Sequence, residues 1–160
     1  MDRRPLYPPV HSFKQGGFMQ IVSISVSKKK GTPKKCVNQA ILIENHGIKS
    51  DAHAGDWHRQ ISFLASESIR RAATQEFSPG FGGFAENIAT SGIDWRAVSL
   101  GQKLLLGKEA LVEITQVGKE CHKKCAVFYR TGSCIMPKEG IFAKVLKGGF
   151  INVGDGISYL

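Results

Sequence analysis

The chain alternates apolar and polar positions over short stretches and seldom sustains a helical period. Gln20–Val26 places Ile21, Ser23 and Ser25 against Val22, Ile24 and Val26. Both sets contain apolar residues, which predicts a strand covered on both faces. Ala40–Glu44 is a second short β-rich run, Ile61–Leu64 a third and Phe84–Ala89 a fourth. Leu104–Leu106 and Leu111–Val117 flank Gly107-Lys108, which reads as a hairpin, because a Gly-first turn supplies the positive φ that tight connections need. Ile141–Leu146 and Phe150–Val153 flank Gly148-Gly149 and predict a second hairpin by the same logic. A helix is predicted from Ser66. Ser66 is its N-cap, Glu67 suits the positive end, and Ile69, Ala72, Ala73 and Phe77 share a face, with Pro79-Gly80 as the stop.

Many short strands, Gly-rich turns and few short helices predict a mainly β fold. A distorted, closed or nearly closed β-barrel would remove the exposed sheet edges. The length of 160 residues suits one domain, expected over residues 19–160. Residues 1–18 read either as a disordered leader or as an upstream-start artefact before a domain that begins near Met19: Arg3 and Arg4 are followed by Pro5, Pro8 and Pro9 and not by an apolar signal segment.

Charge and cysteine usage narrow the chemistry. Lys and Arg number 22 against 13 Asp and Glu, giving a formal net charge of +9. Such a surface attracts anions. It carries no aromatic-interleaved basic stripe or recognition helix, so nucleic acid is not the expected partner. No apolar run approaches the roughly 20 residues of a membrane span, so no membrane partner is expected either. Three of the four cysteines, Cys121, Cys125 and Cys134, lie close together in sequence. Clustered thiols without an export signal suggest a reducing, cytoplasmic setting.

Three segments carry candidate chemistry. Ser27–Lys35 gathers Lys28, Lys29, Lys30, Lys34 and Lys35 around Gly31-Thr32-Pro33, a loop able to wrap ammonium and backbone N–H groups around an anion, or merely to be solvated. Gly47–Ile61 packs Asp51, His53, Asp56, Trp57, His58 and Arg59 into a few residues. A strand starting at Arg59 would let its planar guanidinium meet phosphate or molybdate oxygen. The alternative is a structural loop with Asp caps. Finally, Lys119, Lys123, Lys124 and Arg130 surround Cys121 and Cys125, and positive charge favours thiolate over thiol. A thiolate is a nucleophile and a soft ligand for molybdenum or zinc. Cys121, His122, Cys125 and Cys134 could instead form a structural zinc set, although only one closely spaced cysteine pair is present. A redox disulfide is a further alternative.

The order and spacing of several pieces resemble the MOSC family, the domain at the C-terminus of molybdenum-cofactor sulfurases, in its small stand-alone bacterial form. These pieces are Ile21–Ser25 with the Lys-Gly segment, Gly47-Ile48, Asp51–Gly55, Trp57–Gln60, Phe84–Ile88, Cys121–Cys125, and Glu139–Ala143 through Gly154-Asp155. The resemblance implies a distorted β-barrel and a pocket for the pterin-based molybdenum cofactor or a related anionic pterin. It also implies a cysteine that carries persulfide sulfur or ligates molybdenum. Cys125 and Cys121 match that cysteine. In larger relatives the pair ends at the residue nearest the metal, which points to Cys125, but one extra residue here leaves Cys121 open. Cys134 would be a resolving thiol or second ligand. Cofactor contacts are expected from Lys28, Lys30, Lys34, His53, His58, Arg59, Asn87, Lys119 and Arg130. The pair Glu86-Asn87 either orients the pterin or locks a turn. Pyridoxal phosphate is expected only on a partner, such as a cysteine desulfurase or a cofactor-biosynthesis protein. The rival expectation is a zinc- or disulfide-stabilised interaction domain without catalysis.

Overall fold

The structure, a computed structural model, describes residues 18–75, 78–120 and 134–160. Residues 1–17 of the expected leader, Phe77 of the expected helix face, and Cys121, Cys125 and Arg130 therefore lie outside the described residues.

Among the described residues, eleven strands form two sheets. They are β1 (Gln20–Val26), β2 (Lys35–Val37), β3 (Gln39–Ile43), β4 (Gly47–Ile48), β5 (Ile61–Ala65), β6 (Ile88–Ser91), β7 (Lys103–Leu106), β8 (Ala110–Val117), β9 (Ile141–Lys147), β10 (Gly149–Asn152) and β11 (Ile157–Tyr159). The larger sheet runs β11-β7-β8-β9-β5-β6-β1-β2 and the smaller runs β10-β3-β4. The fold is thus mainly β with few short helices, as expected, but neither sheet closes into a barrel. Between β1 and the approach to β11, an isolated bridge joins Gln20 to Gly156, supported by Ile157 N donating to Met19 O at 2.9 Å.

Strand β1 is buried on both sides for a reason visible in its register. A bulge between Ile21 and Ser23 changes the inward set. Ile21 and Ile24, on opposite faces of a regular strand, both reach the main core. Ser23 and Ser25 are also buried. Strand β5 is covered by two clusters: Ile61 and Phe63 enter the main core, and Leu64 joins Ile69, Phe84, Ala89, Met136 and Phe142 beneath the helices. Helix α1 (Ser66–Ala72) links β5 to its parallel neighbour β6, and α2 (Met136–Glu139) precedes β9.

Several local expectations are corrected. Ala65, not Ser66, is the N-cap of α1; the Ser66 hydroxyl is buried without a hydrogen-bond partner. The helix ends at Ala72, and Ala73 is extended, well before Pro79. The expected strand from Phe84 begins only at Ile88. The β7–β8 hairpin is present with Gly107 at φ 67, but Leu106 pairs with Ala110, so three residues make the connection. The second predicted hairpin is absent. Strand β8 takes one edge of β9; on the other, β5 pairs Ile141–Ala143, and beyond it Val145 N donates to Gln60 Oε1 and Val145 O accepts from Asn45 N, so β10 finds no open edge there. Gly148-Gly149 carries the chain across to β3 in the smaller sheet.

The segment between α1 and β6 is fixed by polar groups. Asn87 is 1% exposed. Its Oδ1 accepts from Ser62 N at 3.0 Å and lies 3.3 Å from Ser62 Oγ, and its Nδ2 donates to Ser25 O at 3.1 Å. The amide laces β1 to β5, in keeping with the turn-locking alternative, and it also reaches the Asp51 carboxylate. Gly82, at φ 82, lies so near the basic loop that a Cβ would sit 2.2 Å from Lys34 O. Removing a partner from buried polar groups leaves each unsatisfied. Asn87→Ala should therefore lower unfolding stability by about 3 kcal/mol, from unpaired Ser62 N and Ser25 O. Urea unfolding checks this, and a loss close to zero would show that Asn87 is not a lacing residue.

Candidate functional site

The basic loop is the connection of the β1–β2 hairpin, and it folds against the segment leading into β5. The link is Lys34, whose side chain is fully buried, as is that of Asp51. Lys34 Nζ lies 2.8 Å from Asp51 Oδ1, 3.0 Å from Ser27 Oγ and 2.9 Å from His53 Nδ1. The Ser27 hydroxyl donates onward to Lys29 O at 3.0 Å, so it accepts from Lys34. Asp51 Oδ1 also accepts from Ser27 N at 3.0 Å, and Oδ2 accepts from His53 N at 3.1 Å. Burial penalises both charges: it lowers Lys34, and although it opposes Asp51 ionisation, the Lys34 bond and charge together with the bonds from Ser27 and Asn87 hold Asp51 below the usual carboxylate range.

Around this buried pair lies a cationic, aromatic mouth. Trp57 is pinned by its Nε1, which donates to His53 O at 2.7 Å. Lys30 Nζ lies 4.8 Å from the Trp57 ring centre, and the Arg59 guanidinium carbon lies 4.6 Å from the same ring. Arg59 also lies 5.5 Å from the Phe142 ring. Stacking orients a guanidinium without using its donors. The Arg59 Nε is buried and has no hydrogen-bond partner. His58 meets Trp57 edge-on, with ring centres 5.9 Å apart, and its Nε2 lies 2.7 Å from Gln116 Oε1. The His58 carbonyl accepts from the Thr115 hydroxyl on β8.

Desolvation first, then the positive charge of Lys34, lowers His53 to about 4, with Lys119 and Lys30 adding to the effect and Asp51 opposing it. Lys119 thus joins the mouth electrostatically. Its backbone N donates to Pro137 O at 3.0 Å, which fixes the chain two residues before Cys121. Behind Lys34, burial pushes the fully buried Glu86 carboxyl up to about 7, against the Gly82 and Phe84 N–H groups that donate to it and the charge of Lys34.

The expected site residues therefore divide. Lys30, His53, His58 and Arg59 are brought together, and Lys119 lies close enough for its charge to act on His53. Lys28 stays exposed. Lys34 is present but fully engaged inside the protein, so it does not face a ligand. Cys134 is half-buried and packs on the apolar cluster containing Phe142. Cys36, the fourth cysteine, is exposed on β2, its Sγ 3.5 Å from Ser25 Oγ. Sequence reasoning did not assign Asp51, Ser27 and Gln116, whose partners are distant in the chain. Among the described residues, no group of three His, Cys, Asp or Glu is placed to hold a metal. No helix among them is long and apolar enough to cross a membrane.

A mainly β module with cationic and aromatic side chains gathered ahead of a central strand is the class that fold and site define. The chain belongs to the MOSC domain family, whose model matches residues 50–158. That family is associated with molybdenum-cofactor-related function. Crystal structures share the fold. YiiM from Geobacillus stearothermophilus superposes with a TM-score of 0.67 at 24% identity, covering 89% of this chain and 75% of that one. The YUAD protein from Bacillus subtilis gives 0.67 at 18% identity, covering 87% and 94%. YiiM from Escherichia coli gives 0.61 at 19%, covering 88% and 69%. Comparison with curated proteins gives no match.

His53 has a stability consequence whose sign follows from linkage. The unfolded chain binds a proton near the ordinary 6.5, while the folded chain refuses it until about 4. Between these values the unfolded state holds more protons, so stability is lost as pH falls through the window. Glu86 acts in the opposite sense, because a raised carboxyl loses stability as pH rises towards about 7. Comparison with His53→Gln isolates the histidine. The stability of wild type relative to that variant should fall by at most about 3 kcal/mol between pH 6.5 and 4, read by urea unfolding. A pH-independent difference would contradict the assignment.

Proposed function

We propose that this protein is a molybdenum-cofactor-binding or sulfur-carrier module, in which Cys125 or Cys121 carries a persulfide sulfur or ligates molybdenum. The observation that supports this most is the Arg59 guanidinium, stacked on Trp57 beside Lys30 with a buried N–H left unanswered. A buried polar group without a partner is costly and calls for an acceptor. The cofactor's anionic end offers acceptor oxygens, so the residues present fit it.

Arg59, Lys30 and Lys119 bind and orient that anionic end, and His53 faces it between them. His58 is steadied by Gln116 and Thr115 at the start of β5. When bound, the cofactor supplies a metal and sulfur ligands that a thiolate can join. The chain's own contribution to sulfur transfer is a thiolate, the form that the lysines flanking it in sequence favour. It attacks the terminal sulfur of a donor persulfide; a new S–S bond forms, the old one breaks, and the donor leaves as its own thiolate. A cysteine desulfurase or cofactor-biosynthesis protein would be that donor, in the cytoplasm.

The test is to mix purified protein with the molybdenum cofactor and measure retained molybdenum after desalting. Wild type should retain it. Arg59→Met should weaken retention by about tenfold or more, the loss of one charged hydrogen bond. Cys125→Ser or Cys121→Ser should abolish it if that sulfur ligates the metal, and should remove the persulfide mass adduct if it carries sulfur. No retention and no adduct in wild type would overturn the reading.

A further inference from the structure

The three acceptors around Lys34 decide the protonation of a neighbouring ring. An ammonium has three N–H donors. One goes to Asp51 Oδ1, one to Ser27 Oγ, and the third points at His53 Nδ1 at 2.9 Å. Neither of the first two can be released. The Ser27 hydrogen is committed to Lys29 O, and Asp51 takes the ammonium as its buried counter-charge. If His53 carried its proton on Nδ1, two donors would face each other inside the protein. Asp51 Oδ2 is 4.0 Å from Nδ1, too far to act as the acceptor of such a proton.

We propose that Lys34 is a positioning residue that fixes His53 as the neutral Nε2–H tautomer, so that the ring presents an N–H donor to an oxyanion held among Lys30, Arg59 and Lys119. The ring is suited to the task. Its side chain is 23% exposed, its backbone N is held by Asp51 and its backbone O by Trp57 Nε1. The groups acting on it are Lys34, Asp51, Lys119 and Lys30. A neutral donor among cations favours a ligand atom that can only accept, such as a phosphate or metal-oxo oxygen, and disfavours an ammonium or a hydroxyl that must donate. The buried lysine is thereby spent on aiming a histidine and not on touching the anion. This rests on the reading of the mouth as an anion site, but not on the anion being the molybdenum cofactor.

The experiment is long-range proton–nitrogen NMR of the His53 ring in the full-length, ligand-free protein. The ring should show a bare Nδ1 and a protonated Nε2 at neutral pH, and should remain neutral until about pH 4. A protonated Nδ1, or a ring that becomes cationic near its ordinary 6.5, overturns the proposal. Inorganic phosphate and molybdate are then added in separate titrations. At least one should shift the Nε2–H signal and bind about tenfold more weakly to His53→Phe, while His53→Gln, which keeps an acceptor for Lys34 and an outward donor, stays within a few-fold of wild type. Equal binding by wild type and His53→Phe removes the donor role. If the tautomer and the oxyanion response are found but molybdenum cofactor is not retained, this inference stands and the cofactor reading falls. Retention with a protonated Nδ1 gives the reverse.

Discussion

The buried contact between Lys34 and Asp51 ties together the two segments on which the rest of the site depends. One lies in the connection of a hairpin, the other in the approach to a central strand. At 2.8 Å, with both side chains shielded from water, neither charge can be left without the other. Removing one member of such a pair typically costs about 3–5 kcal/mol, because an uncompensated charge stays behind. The pair stabilises a particular geometry more than the fold as a whole, since an apolar replacement of both could be as stable. With the basic loop held in place, Lys30 reaches the face of Trp57, and Arg59 stacks on that ring. Cations that would otherwise repel and spread into solvent are kept together.

The second constraint is backbone burial beneath the site. Strands β5 and β9 have both edges paired and both faces covered, so the Arg59–Ile61 segment enters a rigid sheet. Buried Gln60 adds to this, its Oε1 accepting from Val145 N at 2.9 Å and its Nε2 donating to Asn45 Oδ1 at 3.2 Å. Arg59 is therefore aimed by its neighbours on either side, by Gln60 in the core and by the aromatic rings at the mouth. A rigid scaffold carrying polar groups on its loops is the usual division between stability and function.

Local pattern made part of this legible and long-range pairing hid the rest. Alternation located β1, β5 and the β7–β8 hairpin, because those signals sit within a few residues. The β9–β10 hairpin failed because Gly148-Gly149 is locally suitable for a turn, and nothing local records that both edges of β9 are occupied. Barrel closure failed for a related reason: a preference for hiding edges does not say which two edges meet. The lysine run showed that the loop was basic, but could not show that Lys34 alone turns inward, since its partner Asp51 is seventeen residues away. Arg59 was legible as a planar donor, although the strand expected to start at Arg59 starts at Ile61; its stacking on Phe142 was not, because β9 comes far later in the chain. Asn87 was drawn toward the cofactor by its place in a polar motif, whereas its hydrogen bonds join two strands.

A double-mutant cycle on the buried pair tests the central claim most directly. Unfolding free energies are measured in urea for wild type, Lys34→Met, Asp51→Ala and the double variant. Each single change should cost about 3–5 kcal/mol, and the double should cost clearly less than their sum, because the second removal discharges the stranded partner. Additive losses would mean that Lys34 and Asp51 do not depend on one another, and the cationic mouth would then need a different organiser.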